Sequence, residues 1–246
     1  MRDYSEQIFN GMKRFLPGSD QSTLHAAQLL PRDKPLRVLD VGCGTGAHTL
    51  TLAQELPLAA FTVIDSDPSP LNTLTLSAQK QGISNRIDCV CTSLLVPDLC
   101  PQSFDAVWIE DSTHAAGFKQ TLALWKPYLK SGGLLVCRDL SWLTAPPAEP
   151  YRSAWEEKHP QLDTVVNRLA QAGSSGYHPL SYYICPHRDW EDLYYQPIVK
   201  NLRRLRRTHF GDAEVERIIG VWNDEMELYQ HCRNDLSYVF FVLENT

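Results

Sequence analysis

The residues of this 246-residue chain best equipped for chemistry gather where an apolar run meets a glycine-dense turn. Val38-Leu39-Asp40-Val41 leads into Gly42-Cys43-Gly44-Thr45-Gly46, and Ala47-His48-Thr49-Leu50 follows as the start of a helix. Glycine tolerates positive φ and has no Cβ, so a ligand can lie against bare backbone there. The spacing Gly-x-Gly-x-Gly differs from the Gly-x-Gly-x-x-Gly of dinucleotide loops. No Gly-Lys-Ser/Thr follows, which excludes a phosphate-cradling NTPase loop. Asp40 stands immediately before the turn, where a carboxylate would repel a pyrophosphate and attract a cation. Asp65 closes the next apolar run, Val63-Ile64-Asp65, about 20 positions past Gly46, where an acid can accept from both ribose hydroxyls. These charges favour a cationic adenosyl ligand over a dinucleotide. S-adenosylmethionine, with a sulfonium, an ammonium and no phosphate, fits that description.

Strands alternating with helices are needed to hold these residues. Short apolar runs at Leu36–Val41, Phe61–Asp65, Ile87–Cys91, Phe104–Glu110 and Gly133–Asp139 read as strands. Helix windows lie between them at Ala47–Glu55, Pro70–Gln81 and Phe118–Leu129, the last with Phe118, Leu122, Trp125 and Leu129 on one stripe. The crossover Thr92–Ser103 is short and contains proline, so any helix in it is minimal. Two further strands, Tyr177–Cys185 and Tyr238–Leu243, complete the pattern. The fold class is therefore α/β: a doubly wound, mostly parallel Rossmann-like sheet of about seven strands. Residues 1–34 read as a helical N-terminal cap broken at Pro17-Gly18. Residues 186–236 read as a helical insertion, with helices over Trp190–Arg206 and Asp212–Cys232. Open α/β sheets bind ligands at the carboxyl ends of their strands, so both extras are expected there as a lid. The whole chain reads as one domain, with its core at 35–185 and 237–246.

Over residues 36–139 the sequence resembles the class I S-adenosylmethionine-dependent methyltransferases. Asp40 to Gly46 is similar to the family's cofactor loop, and Val63-Ile64-Asp65 to its ribose acid. Phe104-Asp105-Ala106-Val107-Trp108 is similar to its fourth strand. Trp125-Lys126-Pro127-Tyr128-Leu129-Lys130-Ser131-Gly132-Gly133 is similar to the turn before its fifth. The resemblance implies S-adenosylmethionine as cofactor, held by Asp40, Gly42, Gly44, Gly46, Asp65, Ser66, Ser93, Leu94 and Glu110. It also implies an antiparallel last strand. The chain departs from the family after the third strand, where an acid often binds the adenine amine: Cys91-Thr92-Ser93 offers only hydroxyls. Ser141-Trp142, Pro147-Ala148-Glu149, Trp155, Trp190, Tyr194 and Pro197 resemble a narrower bacterial subgroup of uncharacterised small-molecule methyltransferases with a helical insertion before the last strand.

Methyl transfer from a sulfonium is an in-line displacement, and orienting the reactants can supply much of the acceleration. A base is needed only where the nucleophile carries a proton. After the fourth strand come Glu110-Asp111-Ser112-Thr113-His114. His114 is the candidate base, and Glu110, which the resemblance puts near the methionine end of the cofactor, has a helix-capping role as its alternative. Substrate candidates are His114, Asp139, Trp142, Tyr183, Trp190 and Tyr194. The late aromatics lend themselves equally to forming the insertion's own core, and Arg138-Asp139 to an internal ion pair.

Lys and Arg number 23 against 29 Asp and Glu, a net charge of −6, which weighs against nucleic acid as a partner. The longest apolar runs, such as 239–243, are too short to span a bilayer, and Met1 to Glu6 has no signal-like apolar core. The seven cysteines include no Cys-x-x-Cys pair, so reduced thiols and no metal are expected. The reading is a cytoplasmic enzyme with a small-molecule methyl acceptor and no membrane contact. Two rivals stand beside it: a nucleic-acid methyltransferase using the basic face Lys200–Arg207, and a non-catalytic cofactor-binding protein.

Overall fold

The apolar runs become strands because their side chains find cover on both faces of one sheet. The computed structural model describes residues 4–95, 97–110, 116–145 and 149–246. Strands β1 (Leu36–Val41), β2 (Ala59–Asp65), β3 (Ile87–Cys91), β4 (Phe104–Ile109) and β5 (Leu129–Trp142) run parallel. A two-residue strand, β6 (Asp163–Thr164), pairs with the end of β5. β7 (Tyr177–Ile184) and β8 (Leu236–Asn245) complete the order β3-β2-β1-β4-β5-β8-β7. Strand alternation divides the core in two. Val38, Val63, Ala106, Trp108, Val136 and Phe240 fill one side of the sheet. Leu39, Val41, Ile64, Val107, Leu135, Val239 and Phe241 fill the other.

Two consequences of this order position a site. The chain reverses its direction of travel between β1 and β4, so the carboxyl ends of those strands flank a crevice at a topological switch point. β8 is antiparallel to both β5 and β7, so β7 ends at the same edge of the sheet as β1 to β5. The insertion between β7 and β8 therefore starts and finishes at that edge.

Most elements expected from the sequence match to within a few residues and three differ, while helices Tyr151–Lys158 and Val165–Ser174 and strand β6 have no counterpart in that reading. The helix expected over 118–129 stops at Trp125 and tightens into a 3₁₀ turn, Lys126–Tyr128, because Pro127 lacks the amide an α-helix needs. The single helix expected over 190–206 is three pieces: His187–Trp190, a π-turn at Glu191–Tyr195, and Gln196–Thr208. The extra residue of the π-turn lets Trp190, Tyr194 and Tyr195 all face inward. The N-terminal cap is only partly helical, at Ser5–Ile8 and Asp20–Ala26 with a 3₁₀ turn at Ala27–Leu29. Its first turn is tied to the insertion: the Asn201 side-chain amide donates to the carbonyls of Ile8 (2.8 Å) and Asn10 (3.0 Å), and the Tyr4 hydroxyl donates to Asp212 (3.1 Å). Among the described residues no helix is long and apolar enough to cross a membrane.

Candidate active site

Three glycines with positive φ build the turn after β1: Gly42 at 67°, Gly44 at 54° and Gly46 at 83°. Their needs differ. A Cβ at Gly46 would fall 2.2 Å from Cδ1 of Leu74, on the neighbouring helix Pro68–Lys80, whereas one at Gly44 would meet nothing within 4 Å. Four amides of the turn are bonded within the protein. Gly42 and Cys43 donate to the carbonyl of Ile64 at 2.8 and 3.2 Å, and Gly46 donates to that of Cys43 at 2.9 Å. Gly44 donates to Asp65 Oδ2 at 2.9 Å. Amides committed in this way cannot form a phosphate nest. Asp65 Oδ1 accepts from the amide of Asp67 at 3.0 Å. A half-buried carboxylate fixed by two amides keeps lone pairs for further donors.

Asp40 points away from the turn. It is fully buried, with Oδ1 3.0 Å from His48 Nε2 and Oδ2 accepting from the Thr49 hydroxyl. Both of its oxygens are thus engaged by the first turn of helix Ala47–Glu55, and Asp40, expected from its position to face the ligand, is not among the residues lining the cavity over the glycine turn. His48 Nδ1 lies 3.5 Å from Glu110 Oε2. Glu110, 1% exposed, forms an ion pair with Arg14 and accepts from the Thr23 hydroxyl at 2.7 Å. Its carbonyl accepts from Arg138 Nε at 3.0 Å. Arg14 is shared with Asp20 at 2.9 Å. Burial alone would push the His48 imidazole down, but Asp40 and Glu110 overrule it and hold it above its ordinary value. Burial would likewise push the Glu110 carboxyl up, and the cations of Arg14, His48 and Arg138 hold it below the usual range instead.

Of the cavities beside this network, two lie at the glycine turn and at the end of β4. One, of about 300 Å³, lies between the glycine turn and residues 13–16, with Arg14, Leu16, Gly44 and His48 on its walls. The other, of about 340 Å³, opens where β4 stops and β5 continues. Pairing of β4 with β5 ends at Ile109–Cys137, and β6 takes over at Ser141–Asp163. Among the described residues, 138–140 have no strand neighbour on that side. Glu110, Arg138, Asp139, Arg168, His159 and Tyr238 are among the residues lining this gap. Asp139 pairs with Arg168 at 2.7 Å, and the Arg138 guanidinium lies 4.7 Å over the Tyr238 ring. Leu16 lines both cavities, so they adjoin beneath the N-terminal segment.

Residues 38–133 match the family model described as a methyltransferase domain. That stretch is similar to a methyltransferase domain. An uncharacterized methyltransferase of Emericella nidulans, AN0656, is 31% identical over 117 residues, which are 46% of this chain and 41% of that protein. The chain thus spans less than half the length of the curated relatives it matches. Solved structures agree over far more of it. A SAM-dependent methyltransferase of Geobacter sulfurreducens, in complex with S-adenosylhomocysteine, superposes with a TM-score of 0.81 at 19% identity, covering 100% of this chain and 99% of its own. One from Thiobacillus denitrificans, in the same kind of complex, gives 0.83 at 18%, with the same coverage. The chain carries the class I methyltransferase fold from end to end.

Within this fold the sequence candidates separate. Gly42, Gly44, Gly46, Asp65 and Glu110 converge at the ends of β1, β2 and β4, with Ser66 exposed beside Asp65. Ser93 and Leu94 follow β3, where Ser93 Oγ accepts from the amide of Leu95 at 3.2 Å. His114 falls outside the described residues. Asp139 lines the second cavity; Trp142, Tyr183, Trp190 and Tyr194 do not. Trp142 is buried in the core, and Trp190 stacks on Tyr229 at 4.6 Å while donating to Ser237 Oγ at 3.3 Å. Tyr194 packs against Phe9 and Trp222, and Tyr183 stacks on His25 at 3.9 Å. Apolar side chains of an insertion must first bury one another, as Trp190 and Tyr194 do, while Trp142 and Tyr183 belong to β5 and β7. The basic run 200–207 turns Leu202 and Leu205 inward and leaves Arg206 paired with Glu216 at 2.8 Å. Sequence reasoning missed Arg14, His48, Leu16 and Arg168. His48 alone left a local sign, an ionisable residue in the first turn after a glycine loop.

Proposed function

We propose that this protein binds S-adenosylmethionine on the turn 42–46 and catalyses methylation of a small-molecule acceptor held in the cavity beside β5. The reading is carried by the adjacency of the two cavities at Leu16. A donor site and an acceptor site must share a wall for an in-line transfer, and holding both partners in place supplies most of what such a reaction needs. The turn suits the ligand. Gly44 leaves open space where a side chain would stand, committed amides reject a pyrophosphate, and Asp65 retains acceptors for ribose hydroxyls. Bound there, S-adenosylmethionine supplies a methyl group activated on a positively charged sulfur.

The chain's own residues would then divide the remaining work. Asp65 orients the ribose, with Ser66 next to it, while Ser93 and Leu94 border the base. Lys13 and Arg14 offer positive charge to a carboxylate, and the end of β4 at Glu110 offers negative charge to an ammonium. Leu16 and the N-terminal segment exclude water from the shared wall, which strengthens every charge interaction inside; the insertion, expected as a lid, contributes no described residue to the lining of either cavity. Asp139 orients the acceptor, and His114 takes its proton where it carries one. Enclosure of the gap by Leu16, Leu140, Leu162 and Tyr238 supports a compact acceptor. Incubation with methyl-labelled S-adenosylmethionine and a fractionated cell extract tests this. The expected result is label in a low-molecular-mass product, lost in Asp65→Ala. Label confined to RNA or protein would contradict the acceptor assignment.

A further inference from the structure

His48 begins helix Ala47–Glu55 at 3% exposure, with a carboxylate oxygen near each ring nitrogen: Asp40 Oδ1 3.0 Å from Nε2 and Glu110 Oε2 3.5 Å from Nδ1. Carboxylates accept hydrogen bonds and do not donate them, so each acid favours a proton on the ring nitrogen it faces. The helix dipole opposes a cation in the first turn of a helix, which leaves the two acids as the cause of its charge. Charged groups face it from three elements: Asp40 on β1, Glu110 at the end of β4, and Arg14 on the N-terminal segment, itself bonded to Asp20. Arg138 of β5 reaches the carbonyl of Glu110. His48 also lines the cavity over the glycine turn.

We propose that His48 is a positioning residue for the methyl donor: it clasps Asp40 to Glu110, and its charge sets how strongly those two carboxylates favour a sulfonium over a neutral thioether in the adjoining cavity. This rests on that cavity being the S-adenosylmethionine site. Loss of the His48 proton uncovers one unit of carboxylate charge. A cationic donor gains from that field, while S-adenosylhomocysteine, neutral at sulfur, gains little. Preference for donor over product therefore rises as His48 deprotonates. Linkage is reciprocal, so bound donor lowers the His48 pKa relative to bound product.

Calorimetry of both ligands, from about pH 6 to about pH 9, tests this on wild type and His48→Gln. Comparing the two proteins cancels the titration of the ligands' own ammonium groups. The ratio of product to donor Kd is expected to rise about tenfold more in wild type than in the variant. An identical pH dependence in both proteins would overturn the role of His48. Nuclear magnetic resonance of the labelled imidazole needs no variant to fold: the wild-type His48 pKa is expected to be lower with donor than with product, and equal values would overturn the proposal. Failure of wild type to bind either ligand would instead remove the cofactor site itself, which tells the two failures apart.

Discussion

Gly44 and Gly46 stand two residues apart with the same sign of φ, and substituting them should act through different routes. A Cβ at Gly46 collides with Leu74, which is buried on the next helix, so Gly46→Ala is expected to destabilise the fold by about 1–3 kcal/mol. Gly44→Val adds a side chain in open space beside the cavity. It is expected to cost about 1–2 kcal/mol through its left-handed backbone and to weaken S-adenosylmethionine binding out of proportion to that. Urea melts and calorimetry on both variants separate the effects. The buried ions give a pH dependence of determinate sign. Glu110 is held below its ordinary value of 4.5, so its stabilising contribution is present above that pH and lost as acid titrates the folded carboxylate. His48 is held above its ordinary 6.5, so its contribution is complete below that pH and is lost as alkali removes the folded proton. Stability is expected to fall on both sides of an intermediate plateau. His48→Gln should flatten the alkaline fall and leave the acid one, as urea midpoints across pH would show.

At the scale of elements, legibility followed burial. β1 to β5 could be read because parallel strands covered on both faces are near-continuous apolar runs. β6 has two residues and no pattern to read. Helix Val165–Ser174 went unread because it turns Arg168 inward beside Val165 and Ala172, which breaks an apolar stripe. The N-terminal segment looked like a cap on the chain's way to β1. Its anchor, Arg14 on Glu110, joins positions 96 residues apart and leaves no local trace. That pair gives an expectation of its own. Arg14→Leu strands a buried carboxylate and should cost roughly 3–5 kcal/mol, while Arg14→Leu with Glu110→Leu should recover part of the loss. A double-mutant cycle by urea denaturation checks it. In the insertion, Trp190→Ala removes a ring stacked on both Tyr229 and Tyr238 and should cost about 3–5 kcal/mol.

Over the whole molecule, sequence similarity and structural similarity cover different extents. The family match stops at residue 133, whereas solved structures superpose over the entire chain. The first half must satisfy a turn with three positive φ values and acids at fixed strand ends, demands that few residues meet. β7, β8 and the insertion need only apolar surface of the right period, which many sequences provide. Long-range charge follows the same logic. A net charge of −6 gives no attraction to a phosphate backbone, and Arg206 is already paired with Glu216. Retention on duplex DNA or RNA at physiological salt is therefore expected to be negligible, and unchanged by Arg203→Glu with Arg206→Glu. The central claim concerns what rests on the glycine turn, and calorimetric titration of S-adenosylmethionine into wild type and Asp65→Ala tests it most directly. The account expects one ligand per chain with wild type, at least tenfold weaker in the variant, which corresponds to about 1.4 kcal/mol. Equal affinity in both proteins, or preferential binding of a pyrophosphate-containing dinucleotide, would contradict it.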